Sequence, residues 1–181
     1  MKATGIVRRI DDLGRIVIPK EIRRTLHIRE SDPLEIFTDR EGQIILKKYS
    51  PIGEMTTFAK QYAESLAQVS GHTALIADRD QFIAIAGGYK NLMNKSVSRQ
   101  LEEKITNRET LIATRGDRNF ISISEEQAED YQHEAIAPII CEGDVIGAVI
   151  LIENDNKGKM GEVEQKLILS AAGFLGRQME Q

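Results

Sequence analysis

The stretch GIVRRIDDLGRIVIPKEIRRTL, residues 5–26, decides the fold of the first part of the chain. Two apolar runs flank the turn residues Asp11-Asp12-Leu13-Gly14, which predicts strands over residues 4–10 and 15–18. Pro19 suits the first turn of a short helix over residues 20–26, because its missing N–H costs nothing there. Residues 34–39 and 43–48, joined through Gly42, predict a second hairpin.

Two apolar triplets, residues 16–18 and 44–46, predict strands that are covered on both faces. A segment this short has no second layer of its own, and domains near this size are marginal alone. We therefore expect two copies to interleave as an obligate dimer. The alternative is that the rest of the same chain covers these strands.

The charge of the chain is divided unevenly. Of 24 Lys and Arg residues, 11 lie in residues 1–52 against 8 of the 28 acidic residues, so this part is basic and residues 53–181 are acidic. A basic segment on an acidic chain points to a polyanionic partner, whereas the ordinary alternative is a solvated charged face. The basic side chains before residue 30 are Lys2, Arg8, Arg9, Arg15, Lys20, Arg23, Arg24 and Arg29.

Double-stranded DNA is the polyanion that this composition favours. Arginine can bind phosphate and guanine edges through two hydrogen bonds at once. Phe37 and Tyr49 are the aromatic residues of this segment, too few for the base stacking that single strands and RNA loops require.

The run KATGIVRRIDDLGRIVIPKEIRRTLHI, followed by DPLEIFTDREGQIILKKY, resembles the AbrB-type swapped-hairpin DNA-binding domain of bacterial transition-state regulators. The resemblance implies a homodimeric, β-rich domain whose arginines enter DNA grooves. It implies Arg8, Arg15, Arg23 and Arg24 as DNA contacts, and Arg9 and Lys20 complete the predicted DNA-binding set. His27 stands where a glycine is common in that family, which puts the end of the short helix in question.

Residues 53–181 predict an α+β domain, beginning after a linker at residues 49–53. Helices are expected over residues 54–70, from Ser96 or Ser98 to 108, and over 161–179, with a short helix opening at Ser124. Strands are expected over residues 73–78, 81–86, 110–114, 119–123, 134–141 and 145–152. The segment PIICEGDVIGAVIL, residues 138–151, resembles a GAF-type sensory domain through the spacing of Pro138, Gly143 and Gly147. Either a small molecule of unknown identity binds between the sheet and the loops of residues 87–133, or this domain serves only for assembly.

Catalytic and metal chemistry find little support in the sequence. His27, His72 and His133 are scattered without a ligand pattern, so neither a metal nor another cofactor is expected. Cys141 sits in an apolar strand and is expected to be a small core residue. A single cysteine, no secretory signal and no membrane-spanning run predict a reduced, cytoplasmic protein. Because the sequence shows no catalytic constellation, we do not expect an enzyme.

The final helix predicts the assembly. Val163, Leu167, Ala171, Phe174 and Leu175 form one apolar stripe, while Ile168, Ala172 and Met179 extend it around a second side. Such a helix needs a partner beyond its own sheet, so we expect it to pair chains. The periodicity leaves dimer and tetramer open; a tetramer is favoured by the resemblance.

With both parts together, the chain resembles transcription regulators of spore-forming bacteria. This implies a sequence-selective, double-stranded DNA-binding regulator of sporulation genes. The alternative is an antitoxin-type swapped-hairpin protein that binds a toxin partner and regulates its own synthesis.

Overall fold

The chain forms two compact units, Met1–Tyr49 and Ser50–Gln181, in a computed structural model that describes residues 5–125, 130–154 and 159–180. The division of the chain into a DNA-binding domain, residues 1–52, and a second domain, residues 53–181, stays a prediction.

The first unit contains one short helix and one hairpin. Helix α1 spans Lys20–Thr25, and strands β1, Leu34–Thr38, and β2, Ile44–Lys48, pair antiparallel. The Asp39 carboxylate closes the hairpin by accepting hydrogen bonds from the backbone N–H groups of Glu41 and Gln43, at 2.9 and 2.8 Å. The predictions of this helix and hairpin are confirmed to within one residue.

The strands predicted over residues 4–10 and 15–18 are wrong for the isolated chain. Described residues 5–19 contain no strand, and Thr4, like Lys2, lies outside the described residues. A strand needs a neighbour to bond with, and the described part of this unit supplies none. Most apolar side chains of the two segments are consequently exposed, from 42% at Ile6 to 89% at Val7. Ile16 and Val17, at 53% and 71%, lack the expected covering, whereas Ile18 is half-buried.

The second unit begins with a helix where a linker was expected. Helix α2, Pro51–Glu54, is capped by Ser50, whose Oγ accepts a hydrogen bond from Gly53 N at 3.1 Å. A serine followed by a proline at the first helical position is a strong signal for the start of a helix. The prediction of a linker did not take this capping signal into account. Helix α3 then spans Thr56–Ser70.

A five-stranded antiparallel sheet forms the centre of this unit, in the order β4-β3-β7-β6-β5. Its strands are β3, Thr73–Asp78; β4, Phe82–Ala86; β5, Leu111–Thr114; β6, His133–Cys141; and β7, Asp144–Glu153. A 3-10 helix at Lys90–Leu92, helix α4 at Arg99–Thr106 and helix α5 at Glu162–Gln178 complete it. Ser98 caps α4 through a 3.0 Å hydrogen bond from Leu101 N.

The sheet separates two apolar layers. Ala74 and Ile76 of β3 face the layer that includes α3 and α5, whereas Leu75 and Ala77 face the layer that includes α4. This alternation is the period of two that a strand imposes on its side chains. The prediction of an α+β domain is confirmed.

One prediction in the middle of this unit differs from the structure, and another extends beyond the described residues. Residues 119–123 form no strand; one isolated bridge joins Val97 to Ser124. The capping-box helix expected from Ser124 runs into residues 126 and 127, which lie outside the described residues. No helix in the described ranges has the length and apolarity that crossing a bilayer requires.

Candidate nucleic-acid interface

Helix α1 gathers three of the predicted DNA-binding cations. Lys20, Arg23 and Arg24 stand at positions i, i+3 and i+4, so they share one side of the helix. Like charges at this spacing oppose helix formation by about 0.2–0.5 kcal/mol per pair. An anion bound to this side would relieve the repulsion, so the arrangement favours a polyanionic ligand.

Arg8 and Arg9 lie before the turn at Asp11 and are exposed. Within residues 5–125, 130–154 and 159–180, no hydrogen bond or ion pair engages the side chains of these five predicted cations: Arg8, Arg9, Lys20, Arg23 and Arg24. Their charges are thus available to a ligand.

Arg15, the sixth predicted cation, is held differently. Its Nε lies 2.8 Å from Asp11 Oδ2, and its backbone N–H donates to Asp11 Oδ1 at 2.8 Å. The Asp11 N–H donates to Arg15 O at 3.0 Å, and Gly14 adopts φ +75°, a conformation that favours glycine. The backbone N–H and guanidinium of Arg15 hold the pKa of Asp11 below its ordinary value, so this carboxylate is charged at neutral pH. Sequence reasoning recognised the turn and missed this pairing.

The end of α1 is fixed by contacts that the sequence pattern did not reveal. His27 adopts φ +52°, the left-handed conformation that usually selects glycine after a helix, and Ile28 N donates to Arg23 O at 2.8 Å. Lys48 Nζ donates to His27 O at 2.8 Å and lies 3.3 Å from Asp32 Oδ2. The segment after α1 is therefore tied to strand β2.

The two aromatic residues of this unit, Phe37 and Tyr49, are 37% and 39% exposed. Lys47 Nζ lies 4.6 Å from the centre of the Phe37 ring, so one face of that ring already contacts a cation.

Elsewhere the fold brings together one cluster that sequence reasoning missed. His72 Nδ1 lies 2.8 Å from Glu153 Oε2, and its Nε2 lies 3.6 Å from Glu164 Oε1, although these residues are far apart in the chain. The sequence pattern shows no ligand spacing around His72, and the fold alone brings these two carboxylates to it. Across the described residues, no group of three or more His, Cys, Asp or Glu side chains is arranged to hold a metal ion.

Cys141 and His133 occupy structural positions. The sequence predicted Cys141 in the core, but the residue is half-buried at the end of β6. Burial raises the pKa of its thiol. The neutral thiol is a poor nucleophile. His133 is buried, and its Nδ1 lies 3.0 Å from Thr114 Oγ1.

The segment predicted to line a ligand pocket contributes much of the α4-side core. Leu92, Val97, Ile121, Ile123 and Tyr131 are buried there. The Tyr131 hydroxyl donates to Ile121 O at 2.8 Å and accepts from Ile123 N at 3.2 Å. Residues 119–125, which we call the strap, are therefore tied to the interior of the domain.

Comparison with known proteins covers both units. Residues 54–180 match the family model described as stage V sporulation protein T C-terminal, transcription factor. Residues 7–54 match the model described as antidote-toxin recognition MazE, bacterial antitoxin.

Two relatives from Bacillus subtilis (strain 168) extend these matches. Stage V sporulation protein T is 54% identical over 182 residues, covering 100% of both chains. The transition state regulatory protein AbrB is 45% identical over 107 residues, 59% of this chain and 92% of the relative.

Solved structures resemble the second unit. The second GAF domain of DevS from Mycobacterium smegmatis has a TM-score of 0.55 at 10% identity, covering 68% of this chain and 91% of that chain. The PixJ GAF domain of Thermosynechococcus elongatus has a TM-score of 0.56 at 11% identity, covering 72% and 87%. These likenesses show a GAF-like fold alone. With an AbrB-type N-terminal domain, a GAF-like C-terminal domain and full-length similarity, the chain belongs to the stage V sporulation protein T family.

Proposed function

We propose that this protein is a transcription regulator of sporulation genes that binds double-stranded DNA sequence-selectively through its first unit. The observation that carries the proposal is the set of five predicted cations without an acidic partner in the described chain. Full-length similarity to stage V sporulation protein T supports the regulatory role. The DNA contacts in this proposal are Arg8, Arg9, Arg15, Lys20, Arg23 and Arg24.

The first unit is proposed to act as an interleaved dimer. Of the 17 large apolar side chains that are exposed among the described residues, 12 lie between Ile6 and Tyr49. At roughly 25 cal/mol per Å² of buried apolar surface, leaving them in water forgoes a large part of the stabilisation that a small unit needs. A second copy supplies neighbours for residues 5–10 and 15–18, which find no strand partner in the described chain.

DNA binding is tested by its dependence on salt. If a dimer neutralises ~6–8 phosphates, the logarithm of the binding constant should fall against the logarithm of salt concentration with a slope of roughly −5 to −7. Replacing both Arg23 and Arg24 by Ala removes four cations per dimer and should make the slope less steep by roughly 3–4.

The matched control replaces Arg99 and Lys166 by Ala, which changes the charge equally in the second unit, where both side chains are exposed. Fluorescence anisotropy with a labelled duplex measures both variants. An Arg23/Arg24 variant that binds like this control would contradict the proposed interface.

The second unit is proposed to join two dimers of the first unit into a tetramer through α5. The helix buries Ile168, Ala171, Ala172 and Leu175 against its own sheet, whereas Val163, Leu169 and Phe174 stay 66%, 45% and 37% exposed. The prediction of Ile168 and Ala172 on a second apolar side is wrong, because both are buried against the helix's own sheet. The proposed pairing surface is formed by the exposed apolar side chains instead. Phe174 stacks on Tyr62 of α3 with ring centres 5.4 Å apart, so this surface extends onto α3.

Sedimentation equilibrium of the full chain tests the assembly. We expect a tetramer at micromolar concentration and a dimer when Val163 and Leu169 are both replaced by Glu. A dimer mass for the unmodified chain would contradict the tetramer.

A small-molecule ligand in the second unit stays a prediction. Because the strap and Tyr131 fill the α4-side interior, a ligand there would have to displace buried side chains. A thermal-shift screen against metabolites tests it, and the proposal above does not depend on its outcome.

The antitoxin alternative rests on the family description matched by residues 7–54. The folded second unit and the full-length relative favour the regulator, because an antitoxin arm is usually extended and disordered. Co-purification of a small toxin with the protein would favour the alternative.

A further inference from the structure

Asp11 makes contacts that set Arg15 apart from the other five predicted DNA-binding cations. One carboxylate oxygen of Asp11 accepts the backbone N–H groups of Leu13 and Arg15, at 3.0 and 2.8 Å. The other oxygen accepts Arg15 Nε at 2.8 Å. A single side chain thus fixes both the turn and the direction of the guanidinium.

The ion pair between Arg15 and Asp11 is too exposed to contribute much to the stability of the fold. The side chains of Arg15 and Asp11 are 69% and 38% exposed, and pairs of this kind contribute little to folding. A carboxylate beside a DNA-binding surface also repels phosphate. The turn uses the other carboxylate oxygen, so the contribution of the ion pair lies in what it does to Arg15.

The geometry of the guanidinium shows what that contribution is. Arginine carries five N–H donors in a rigid fork, and the bond to Asp11 uses the one on Nε. The four donors on Nη1 and Nη2 are left for a phosphate or a guanine edge, which such a fork binds through two bonds. Holding Nε in place reduces the rotamer entropy that Arg15 would lose on binding.

We propose that Asp11 is a positioning residue for DNA recognition: it orients Arg15 so that the terminal nitrogens of the guanidinium meet the duplex. This inference rests on the proposed function. It predicts that removing a negative charge at residue 11 weakens DNA binding, whereas general electrostatics predicts the opposite.

The neighbouring aspartate provides a matched control. Asp11→Asn keeps an oxygen that can accept the two backbone N–H groups, but its amide nitrogen cannot accept a bond from Arg15 Nε. The turn is therefore retained and the tether is lost. Asp12→Asn makes the same change in charge one residue along, at an exposed side chain.

The experiment measures binding of the full chain to a labelled duplex that the protein itself selects from a random pool, and to a scrambled duplex. Asp11→Asn should weaken binding to the selected duplex about fivefold for each protomer that contacts it, the effect of an exposed ion pair of up to ~1 kcal/mol. Asp12→Asn should leave binding unchanged or strengthen it. In an Arg15→Ala background, Asp11→Asn should no longer weaken binding, because the residue to be positioned is gone.

The outcomes separate the inference from the proposed function. If Asp11→Asn strengthens binding as Asp12→Asn does, or still weakens it in the Arg15→Ala background, the positioning role is refuted while DNA binding stands. If Arg15→Ala binds like the unmodified protein, the inference is likewise refuted. If the unmodified protein prefers no duplex over its scrambled form, sequence-selective binding itself fails. Circular dichroism of each variant checks that the turn change has not unfolded the chain.

Discussion

Two glycines of α5, Gly173 and Gly176, should respond in opposite ways to alanine. A Cβ at Gly176 would overlap the carbonyl oxygen of Ile140 on β6 and lie 3.1 Å from its carbonyl carbon. A Cβ at Gly173 would meet nothing within 4 Å. Gly176 thus allows α5 to approach the sheet, whereas Gly173 is exposed.

The magnitudes follow from two opposing effects. Replacing glycine by alanine inside a helix gains up to about 1 kcal/mol of intrinsic helix propensity. At Gly176 this gain is outweighed, because the overlap is with backbone and overpacking typically costs 1–3 kcal/mol, occasionally more. We expect Gly176→Ala to destabilise by about 2 kcal/mol and Gly173→Ala to stabilise by about 1 kcal/mol.

Calorimetry of the full chain at one protomer concentration measures both variants. For a chain of this size the melting temperature should fall by about 4–8 °C for Gly176→Ala and rise by about 2–4 °C for Gly173→Ala. Sedimentation must show the same assembly for both variants, because a change in association shifts the melting temperature by itself. Equal shifts of the same sign would refute the close packing of α5 on β6.

The remaining predictions concern the strap and the start of α5. Tyr131→Phe should lower the free energy of unfolding by about 1–3 kcal/mol, because it leaves Ile121 O and Ile123 N without the hydroxyl that they bond to. The control Tyr62→Phe, at a ring that stacks on Phe174, should lower the free energy of unfolding by less in the same denaturant titration. An equal loss for the two variants would contradict the role of the Tyr131 hydroxyl. The pKa of Glu164 is lowered below 4.5, chiefly by the N–H of Gly161, so its charged form stabilises the fold above that pH and the contribution is lost as the pH falls through the lowered pKa. Glu164→Gln should therefore cost about 0.3–1 kcal/mol at pH 7 and nothing once the pH is well below 4.5, as measured by denaturation across that range, while Glu162→Gln, whose side chain is 77% exposed, should cost less. A Glu164→Gln cost that is independent of pH would show that charge plays no part.

Local features could be read from the sequence because short-range physics decides them. Helix α1, the hairpin of β1 and β2, and strand β3 were predicted nearly residue by residue, since periodicity and turn residues act over a few positions. The cations of the first unit were equally visible, because exposed charges need no tertiary contact to be recognised. The pairing of Arg15 with Asp11 was missed although the two residues are four positions apart. Side-chain pairing in a turn depends on the dihedral angles of the turn, which the sequence does not give.

Other features were decided by tertiary structure alone. Residues 119–123 have the pattern of a strand, but Tyr131 and the bridge to Val97 hold them as a strap. His72 meets Glu153 and Glu164 because β3 and β7 pair in the sheet and α5 begins beside them. Residues 5–10 and 15–18 have apolar strand patterns and form no strand in the chain by itself. The sequence determines which segments prefer to be extended, but a strand exists only where another backbone completes its hydrogen bonds, and the position of that backbone is a property of the assembled fold.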